Sequence, residues 1–321
     1  MTGTLADAAA LAGYAPSIHN SQPWRWRVAD RVLDLYAAHS RQLAITDPDG
    51  RLAVLSCGAA LHHARTAMAA EGWRTETTRL PDPANPAWLA RIALAERIPV
   101  TARATRLVQM IRARHTDRRP VTGPPVGPDE LAAITATVRT EGARLHPLRR
   151  DQMIEVAAAV SYAQRTEAAD EVWQAELAYW TGGTRPTGTG VPDSAIPARP
   201  PQTTVPGRDF GHPGTLPVNA KHDRDATFAL LYGDQDTPAD WLRAGEALSA
   251  AWLTATELGV SVLPLSAAVE VLSTRQTLRR IIGGVDQPYL VLRLGHADPD
   301  QPGPVPTPRL PAAQTIEYAT P

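Results

Sequence analysis

The chain has 321 residues, enough to bury a sizeable core and to form two structural units, and its formal net charge of −1 gives no electrostatic reason to expect nucleic acid or an anionic membrane as a partner. The single cysteine, Cys57, excludes an internal disulfide and a cysteine-rich metal site, and it fits a small buried side chain in a reducing cytoplasm. Since the sequence shows neither a secretion leader nor an apolar run near the ~18 residues that cross a bilayer, we expect a soluble, cytoplasmic protein.

The first hundred residues predict a short helix, a hairpin, a long helix and two further strands. Residues 4–14 are rich in Ala and Leu and favour a helix that ends before the following proline. Trp24, Trp26 and Val28 alternate with arginines, which is the period of a half-buried strand, and a tight turn follows. The remaining predictions in this part are a strand at 32–36, a helix at 51–71 and strands near 73–80 and 88–95.

Beyond residue 100 the pattern again predicts helices and strands. Pro128 and Pro238 stand where a helix begins, because proline fits the first helical turn. The run 289–292, Tyr-Leu-Val-Leu, is apolar throughout, as in a central strand. The predicted elements are helices at 103–113, 128–142, 151–180 and 237–259, strands at 226–232 and 287–295, and an extended tail from 298 that wraps the body.

Residues 181–220 have the character of an insertion. Proline and glycine recur, apolar periodicity disappears, and the pattern predicts no element of ordinary length. Ordered domains rarely contain so long a segment without secondary structure unless it forms a lid or a linker. Because a strand-like pattern resumes at 226, we favour a lid over a functional site; a linker between domains is the alternative.

Residues 15–24, Ala-Pro-Ser-Ile-His-Asn-Ser-Gln-Pro-Trp, form a polar loop between two apolar segments. Pro16 restricts the backbone to extended conformations, and the amides of Asn20 and Gln22 each offer two donors and an acceptor. Such a loop can recognise the edge of a flat heterocycle. The alternative is that the two amides only satisfy local backbone groups.

Residues 114–119, Arg-His-Thr-Asp-Arg-Arg, concentrate positive charge after a predicted helix. Only one of the 32 basic residues is a lysine, Lys221, so we expect any fixed cation at a buried site to be an arginine. Arg114 and Arg118, with Thr116 between them, suit the oxygens of a phosphate, because guanidinium groups donate in a planar fork. The alternative is a solvated cluster of charges at a helix end.

Four segments, taken together, resemble the FMN-dependent nitroreductase family. Residues 15–24 are similar to the family's A-P-S-x-x-N-x-Q-P-W signature, and residues 114–121 to its phosphate-binding run. Residues 257–266 resemble its turn beside the flavin, and residues 308–311 its terminal Arg-Leu-Pro. Because the loop precedes the phosphate run, the order resembles the Acg-like branch, in which two nitroreductase-like halves are fused in one chain.

The resemblance implies an α+β, nitroreductase-like fold, in which a pseudo-dimeric fusion has central antiparallel or mixed sheets flanked by helices. The first half would be residues 1–102, with the loop, and the second half residues 103–321, with the phosphate run and the insertion at 181–220. Each half carries only one of the two motifs, so we expect one FMN per chain, set between the halves. The protein is then expected as a monomer with pseudo-dimeric halves or as a homodimer.

The resemblance also implies which residues bind FMN. The implied contacts are Asn20 and Gln22 at the pyrimidine edge of the flavin, Pro16, Ser17 and Ile18 around it, Arg114, Thr116, Arg118 and Arg309 at the phosphate, His115 at the ribityl or ring region, and Pro264, Leu265, Ser266 and Ala267 near flavin N5. Either Arg25 or Arg118 would stabilise the negative charge of the reduced flavin.

The implied function is an FMN-dependent oxidoreductase that moves hydride from NAD(P)H through flavin N5 to an electron-poor small molecule such as a nitroaromatic or a quinone. No catalytic side chain is required, because the flavin supplies the redox chemistry. The alternative is an FMN-binding protein whose covered flavin turns over little. A dedicated oxidase or dehydrogenase for one metabolite is a third possibility.

No other constellation in the sequence points to chemistry. His62 and His63 lack the spacing of a metal-binding pair and are expected on a polar surface. His212, His222 and Asp223 are isolated, so no metal site is expected there. A glycine-rich dinucleotide fingerprint and a P-loop are both missing from the sequence.

Overall fold

A computed structural model of the protein describes residues 2–181, 185, 187–298 and 303–319. The fold is α+β, as predicted. In the described residues the α-helices are α1 (Thr2–Ala12), α2 (Arg51–Ala70), α3 (Ala102–Ala113), α4 (Pro128–Thr140), α5 (Arg150–Ala168), α6 (Glu171–Thr181), α7 (Pro238–Glu257), α8 (Ala267–Glu270) and α9 (Leu272–Ile281). The strands are β1 (Trp24–Ala29), β2 (Val32–Ala37), β3 (Trp73–Arg79), β4 (Trp88–Arg97), β5 (Arg144–Pro147), β6 (Thr227–Gly233), β7 (Val260–Leu265), β8 (Gln287–His296) and β9 (Ile316–Tyr318).

Two separate sheets organise these strands. The first sheet has the order β3-β4-β2-β1-β9, and it is mixed because β9 runs parallel to β1 while the other neighbours are antiparallel. The second sheet has the order β5-β6-β8-β7 and is antiparallel throughout. Because β9 comes from the tail, the carboxyl-terminal residues return to the sheet that residues 24–97 otherwise form, which the sequence did not predict.

The alternation predicted for β1 is confirmed. Trp24 and Trp26 are fully buried and Val28 nearly so, whereas Arg25 and Arg27 are exposed. A strand with one face on the core and one face in solvent produces this period of two.

Helices α2 and α7, each of 20 residues, pack against each other along their length. Their crossing depends on two glycines. A Cβ atom on Gly58 would lie 2.0 Å from the carbonyl oxygen of Leu242, and one on Gly245 would lie 1.8 Å from the carbonyl oxygen of Leu55. Side chains of α2 enter both main apolar clusters of the protein, so this helix joins the two cores.

The prediction that His62 and His63 lie on a polar surface is wrong. His62 is 8% exposed and His63 is completely buried, because α2 is covered on nearly all sides by α1, α7 and the first sheet. Burial lowers the pKa of both imidazoles, so both are neutral at physiological pH.

Three other predictions of secondary structure differ from the fold. The single helix predicted for 151–180 is broken at Asp170, whose carboxylate accepts hydrogen bonds from the backbone N–H groups of Val172 and Trp173 and so begins α6. Strand β5 and helix α9 were not predicted. Pro264, predicted in a turn, lies in β7, where it is tolerated because β7 is at the edge of its sheet.

The described part of the insertion, residues 185 and 187–220, has little regular structure, as predicted. It contains a short 3₁₀ turn, Asp193–Ala195, and two isolated bridges. Val191, Ile196 and Phe210 are buried in a small apolar cluster that includes Leu177 of α6. The insertion is therefore packed on the body of the protein. Among the described residues, no helix is long and apolar enough to cross a membrane.

Candidate functional site

A cavity of about 660 Å³ lies among the second sheet, α7, the start of α2 and the insertion. Residues between 191 and 213 of the insertion line one side of it. Most of the site residues expected from the sequence also line it, namely Pro16, Ser17, Ile18, Asn20, Arg114, Thr116, Arg118, Pro264, Leu265, Ser266, Ala267 and Arg309. Those that do not line it are Gln22, His115 and the alternative candidate Arg25.

The segment 114–118 is extended, so its side chains alternate between two sides of the backbone. This alternation determines which of them reach the cavity. Thr116 pairs in parallel with Val262 beside the edge strand β7, so Arg114, Thr116 and Arg118 point to the cavity. His115 points away and is exposed, with its Nδ1 3.1 Å from the carbonyl oxygen of Ala113. The expected role of His115 beside the ribityl or ring region is therefore not supported by its position.

Extended geometry also separates the two arginines of this segment. Four residues of extended chain span about 13 Å, so Arg114 and Arg118 lie in different parts of the cavity. Their positions do not support the expectation that both guanidinium groups hold one phosphate. Arg114 instead lies near Arg309, and Arg118 near Arg208.

Arg114 and Arg309 form a cationic pair. Both donate to the carbonyl oxygen of Tyr14, at 3.1 Å and 3.3 Å, and Arg114 lies over the ring of Trp252 at 4.5 Å. Within the described residues, neither guanidinium contacts a carboxylate, and the Nε of each is buried without a hydrogen-bond partner. Burial and the neighbouring cation lower the pKa of Arg114 to about 9, and burial lowers that of Arg309 to about 10. Two buried positive charges without a counter-ion are costly, so this end of the cavity favours an anion.

Arg118 lies in a different electrostatic environment. Its Nη1 donates to the carbonyl oxygen of Ala195 at 3.1 Å, and its guanidinium lies 5.3 Å from the ring centre of Phe210 in the insertion. Burial, followed by the charge of Arg208, lowers the pKa of Arg118 to about 10. Burial and the same two cations lower the pKa of His19, which also lines the cavity.

Arg208 fastens the insertion to the body of the protein. It donates to Glu167 of α5 at 2.9 Å and to Glu270 of α8, and its Nη2 lies 3.5 Å from Ser266 Oγ. Both carboxylates are buried, and burial raises the pKa of Glu167. The positive charge of Arg208 is therefore already compensated, in contrast to that of Arg114.

The polar loop binds distant backbone groups. Asn20 Nδ2 donates to the carbonyl oxygens of Gly190 and Pro308, at 3.1 Å and 3.0 Å. Gln22 Nε2 donates to Gly188 at 2.7 Å. His19, Asn20 and Gln22 all have positive φ angles, which non-glycine residues rarely adopt, so the turn is held in a strained conformation. One contact is local, since Gln22 Nε2 also donates to the carbonyl oxygen of Asn20 at 3.3 Å, but the other groups that the two amides bind lie far along the chain. Asn20 lines the cavity, whereas Gln22 lies outside it because its amide is used between the insertion and the tail.

Arg25, one of the two candidates for stabilising a reduced flavin, lies outside the site. It is on the exposed face of β1 and pairs with Glu317 at 3.1 Å. That candidate is wrong, because the alternation of β1 directs the side chain to solvent. Arg118 does line the cavity.

Arg293 was missed by the sequence analysis. It lies in the central strand β8, is 2% exposed, and lines the cavity. Its Nη2 donates to the carbonyl oxygens of Asp117 and Arg119, at 2.9 Å and 2.6 Å, and so holds the extended segment in place. The signal was a charged residue inside an otherwise apolar strand, which requires polar partners in the interior.

A serine, a histidine and a glutamate meet outside the cavity. His62 Nδ1 lies 2.8 Å from Ser249 Oγ, and His62 Nε2 lies 4.0 Å from Glu141 Oε1. Ser249 is completely buried between α2 and α7 and does not line the cavity, so it cannot attack a substrate. Among the residues that the structure describes, no three His, Cys, Asp or Glu side chains are grouped to hold a metal ion.

Comparisons with known proteins identify relatives along the whole chain. No family model matches it. The chain is 36% identical over 318 residues to a Mycobacterium tuberculosis protein provisionally named NAD(P)H nitroreductase, covering 98% of this chain and 91% of the relative. It is 35% identical over 319 residues to Acg of the same organism, which has the same provisional name, covering 97% and 94%. A solved nitroreductase with bound FMN from Desulfitobacterium hafniense is 16% identical to this chain, with a TM-score of 0.41. The match covers 67% of this chain and 98% of the solved chain.

Proposed function

The chain belongs to the nitroreductase family, which includes Acg, and on that basis we propose that it is an FMN-dependent oxidoreductase acting on small molecules. The observation that carries the proposal is the pair of buried, uncompensated guanidinium groups, Arg114 and Arg309, at one end of the cavity. A phosphate dianion supplies the negative charge that this pair lacks.

The residues present fit FMN in size as well as in charge. The volume of about 660 Å³ lies within the usual range of small-molecule sites, and the lining is largely apolar away from the arginines. Arg114 and Arg309 would hold the phosphate. The hydroxyl groups of Ser17 and Thr116 would face the ribityl chain, and Arg118 would face the part of the ring system that becomes negative on reduction.

When bound, FMN supplies hydride transfer at N5 between NAD(P)H and an electron-poor acceptor such as a nitroaromatic or a quinone. The protein binds and orients the reactants, and its insertion lines one side of the cavity. Arg118 contributes a fixed positive charge in an environment where burial strengthens its field. Pro264, Leu265, Ser266 and Ala267 form one wall of the site.

The test is to purify the full chain, measure its absorption spectrum and flavin content, and add NADPH without oxygen. A yellow protein with about one FMN per chain that bleaches on addition of NADPH supports the proposal. One FMN is expected because the structure has a single Arg114–Arg309 pair among its described residues. A protein that neither contains nor binds FMN contradicts the proposal, and a ratio near two per chain contradicts the single site.

A second function, retention of FMN with little turnover, is favoured by one observation. The insertion is fastened at Gly188 and Gly190 by the amides of the loop and at Arg208 by two buried carboxylates. A covered flavin would not admit nicotinamide. In that case the yellow protein stays yellow with NADPH, and a variant with a shortened insertion bleaches; rapid bleaching of the intact protein contradicts retention.

A further inference from the structure

Asn20 makes contacts that differ from those of a residue reading the edge of a flavin. Its Oδ1 accepts a hydrogen bond from Arg309 Nη1 at 2.8 Å, while its Nδ2 donates to two backbone carbonyl oxygens. The side chain is 8% exposed. Both ends of the amide are therefore used by protein groups, and one of those groups is a guanidinium of the cationic pair.

We propose that Asn20 is a positioning residue that aims Arg309 at the cofactor phosphate, and that it does not read the flavin ring. This inference depends on the proposed binding of FMN. Arg309 is otherwise held by Thr307, whose Oγ1 accepts from Nη1 at 2.6 Å, and by the carbonyl oxygen of Tyr14. All three groups are uncharged, so they orient the guanidinium without cancelling its charge.

The neutral charge of the Asn20 amide distinguishes it from a carboxylate at the same position. An aspartate at position 20 would have nearly the same shape and would still accept from Arg309. It would also neutralise the cation that the phosphate needs, and it would remove the Asn20 donor from the carbonyl oxygens of Gly190 and Pro308, although Pro308 would still accept from Arg309 Nη1. The site therefore requires an amide where a carboxylate would bind arginine more strongly.

Gln22 completes the arrangement without contacting Arg309 by its side chain. Its Nε2 donates to Gly188 at 2.7 Å, and its Oε1 accepts from the backbone N–H of Leu310 at 3.0 Å. Gly188 packs so closely on the tail that a Cβ atom there would lie 2.7 Å from the carbonyl oxygen of Arg309. Gln22 thus binds the insertion to the tail beside the cationic pair.

The test compares FMN with riboflavin, which has the same ring and ribityl chain but no phosphate. Flavin-free full-length protein is titrated with each, and binding is followed by quenching of flavin fluorescence. Asn20→Ala should weaken FMN binding by about 10- to 100-fold and riboflavin binding by no more than about 3-fold, because the lost contact acts through a charged group. Asn20→Asp should weaken FMN binding at least as much, despite its shape.

Two further variants make the result decisive. Thr307→Val removes another support of Arg309 and should show the same selective loss of FMN, so the proposal remains testable if Asn20 variants do not fold. Asn85→Ala, which removes an exposed amide that does not line the cavity, is the matched control and should change neither affinity. Equal losses of FMN and riboflavin in Asn20→Ala, no loss of either, or normal FMN binding by Asn20→Asp would overturn the inference. Failure of the unaltered protein to bind FMN would instead overturn the proposed function.

Discussion

Gly58 of α2 and Gly245 of α7 stand opposite each other where the two helices cross. A Cβ atom on Gly58 would lie 3.0 Å from Gly245 Cα, and a Cβ atom on either glycine would lie 2.0 Å or less from a backbone carbonyl oxygen of the other helix. Backbone atoms cannot move aside as the end of a side chain can. The contact of these two helices therefore sets the distance between the elements that border the cavity.

Gly245→Ala should destabilise the protein by about 1–3 kcal/mol or more, because the added methyl group forces α2 and α7 apart. The measurement is the free energy of unfolding in urea. Gly3→Ala is the matched control, since a Cβ at this exposed position meets nothing within 4 Å, and it should change the free energy of unfolding by no more than about 0.5 kcal/mol. Equal effects of the two substitutions would show that the crossing tolerates a side chain.

Arg114→Met should weaken FMN binding by about 10- to 100-fold and leave riboflavin binding nearly unchanged, because Arg114 belongs to the anion-binding pair. Arg118→Met should weaken the binding of FMN and of riboflavin by similar factors, because Arg118 lies beside Arg208 and away from the anion-binding pair. Fluorescence titration measures all four affinities. The same selectivity in both variants would contradict the separation of the two arginines.

Arg208→Met should loosen the insertion, because it removes the donor to Glu167 and leaves the buried Glu270 carboxylate without its counter-ion, at a cost of about 3–5 kcal/mol. Limited proteolysis should then cleave faster between 191 and 213. Arg199→Met is the control in the same segment, since Arg199 donates only to the carbonyl oxygen of Val218 among its described partners. An unchanged cleavage rate in Arg208→Met would show that Arg208 does not hold the insertion on the body of the protein.

Glu167 should make stability fall as pH rises. Burial, with a contribution from Glu270, raises its pKa from 4.5 to about 8, so the folded protein keeps a proton that the unfolded chain releases. The free energy of unfolding therefore declines between about pH 4.5 and pH 8, and Glu167 adds no further pH dependence above that range. In Glu167→Gln this decline should be smaller when Tm is followed across the same range. Glu155→Gln, an exposed substitution on the same helix, is the control. If the plots of Tm against pH for the unaltered protein and for Glu167→Gln stay parallel, the prediction is contradicted.

Glu246 is completely buried and pairs with Arg65 and Arg79, each at 2.6 Å. Glu246→Gln should lower the free energy of unfolding by about 1.5–3 kcal/mol, because Arg79 loses its carboxylate partner while Arg65 keeps Glu141 at 2.7 Å. Glu96→Gln breaks the exposed pair with Arg74 and should cost about 0–1 kcal/mol. A small effect at Glu246 would mean that solvent reaches this cluster.

The sequence predicted those parts of the fold and site that local periodicity determines. The alternation of Trp24 and Trp26 gave β1, and the apolar run at 289–292 gave β8. The same period of two was present in the extended segment 114–118, where it separates Arg114, Thr116 and Arg118 from His115. Applied there, it would have placed His115 outside the cavity.

The features that could not be predicted are those that depend on partners far along the chain. Asn20 and Gln22 bind groups 166–289 residues away, and nothing in their immediate neighbours indicates this. The burial of His63 follows from the packing of α2 on all sides, which its own pattern does not specify. Family resemblance identified the motifs, whereas the contacts that their side chains make required the fold.

The pairing of β9 with β1 has a consequence for synthesis on the ribosome. Trp26 pairs with Ile316, so the first sheet begins early in translation and is completed only near its end. At ordinary elongation rates, about 15–60 s pass between the synthesis of β1 and the synthesis of β9, which pairs with its edge. During that time its unpaired backbone groups are open to other nascent chains, and molecular chaperones that shield strand edges would be most needed in this interval.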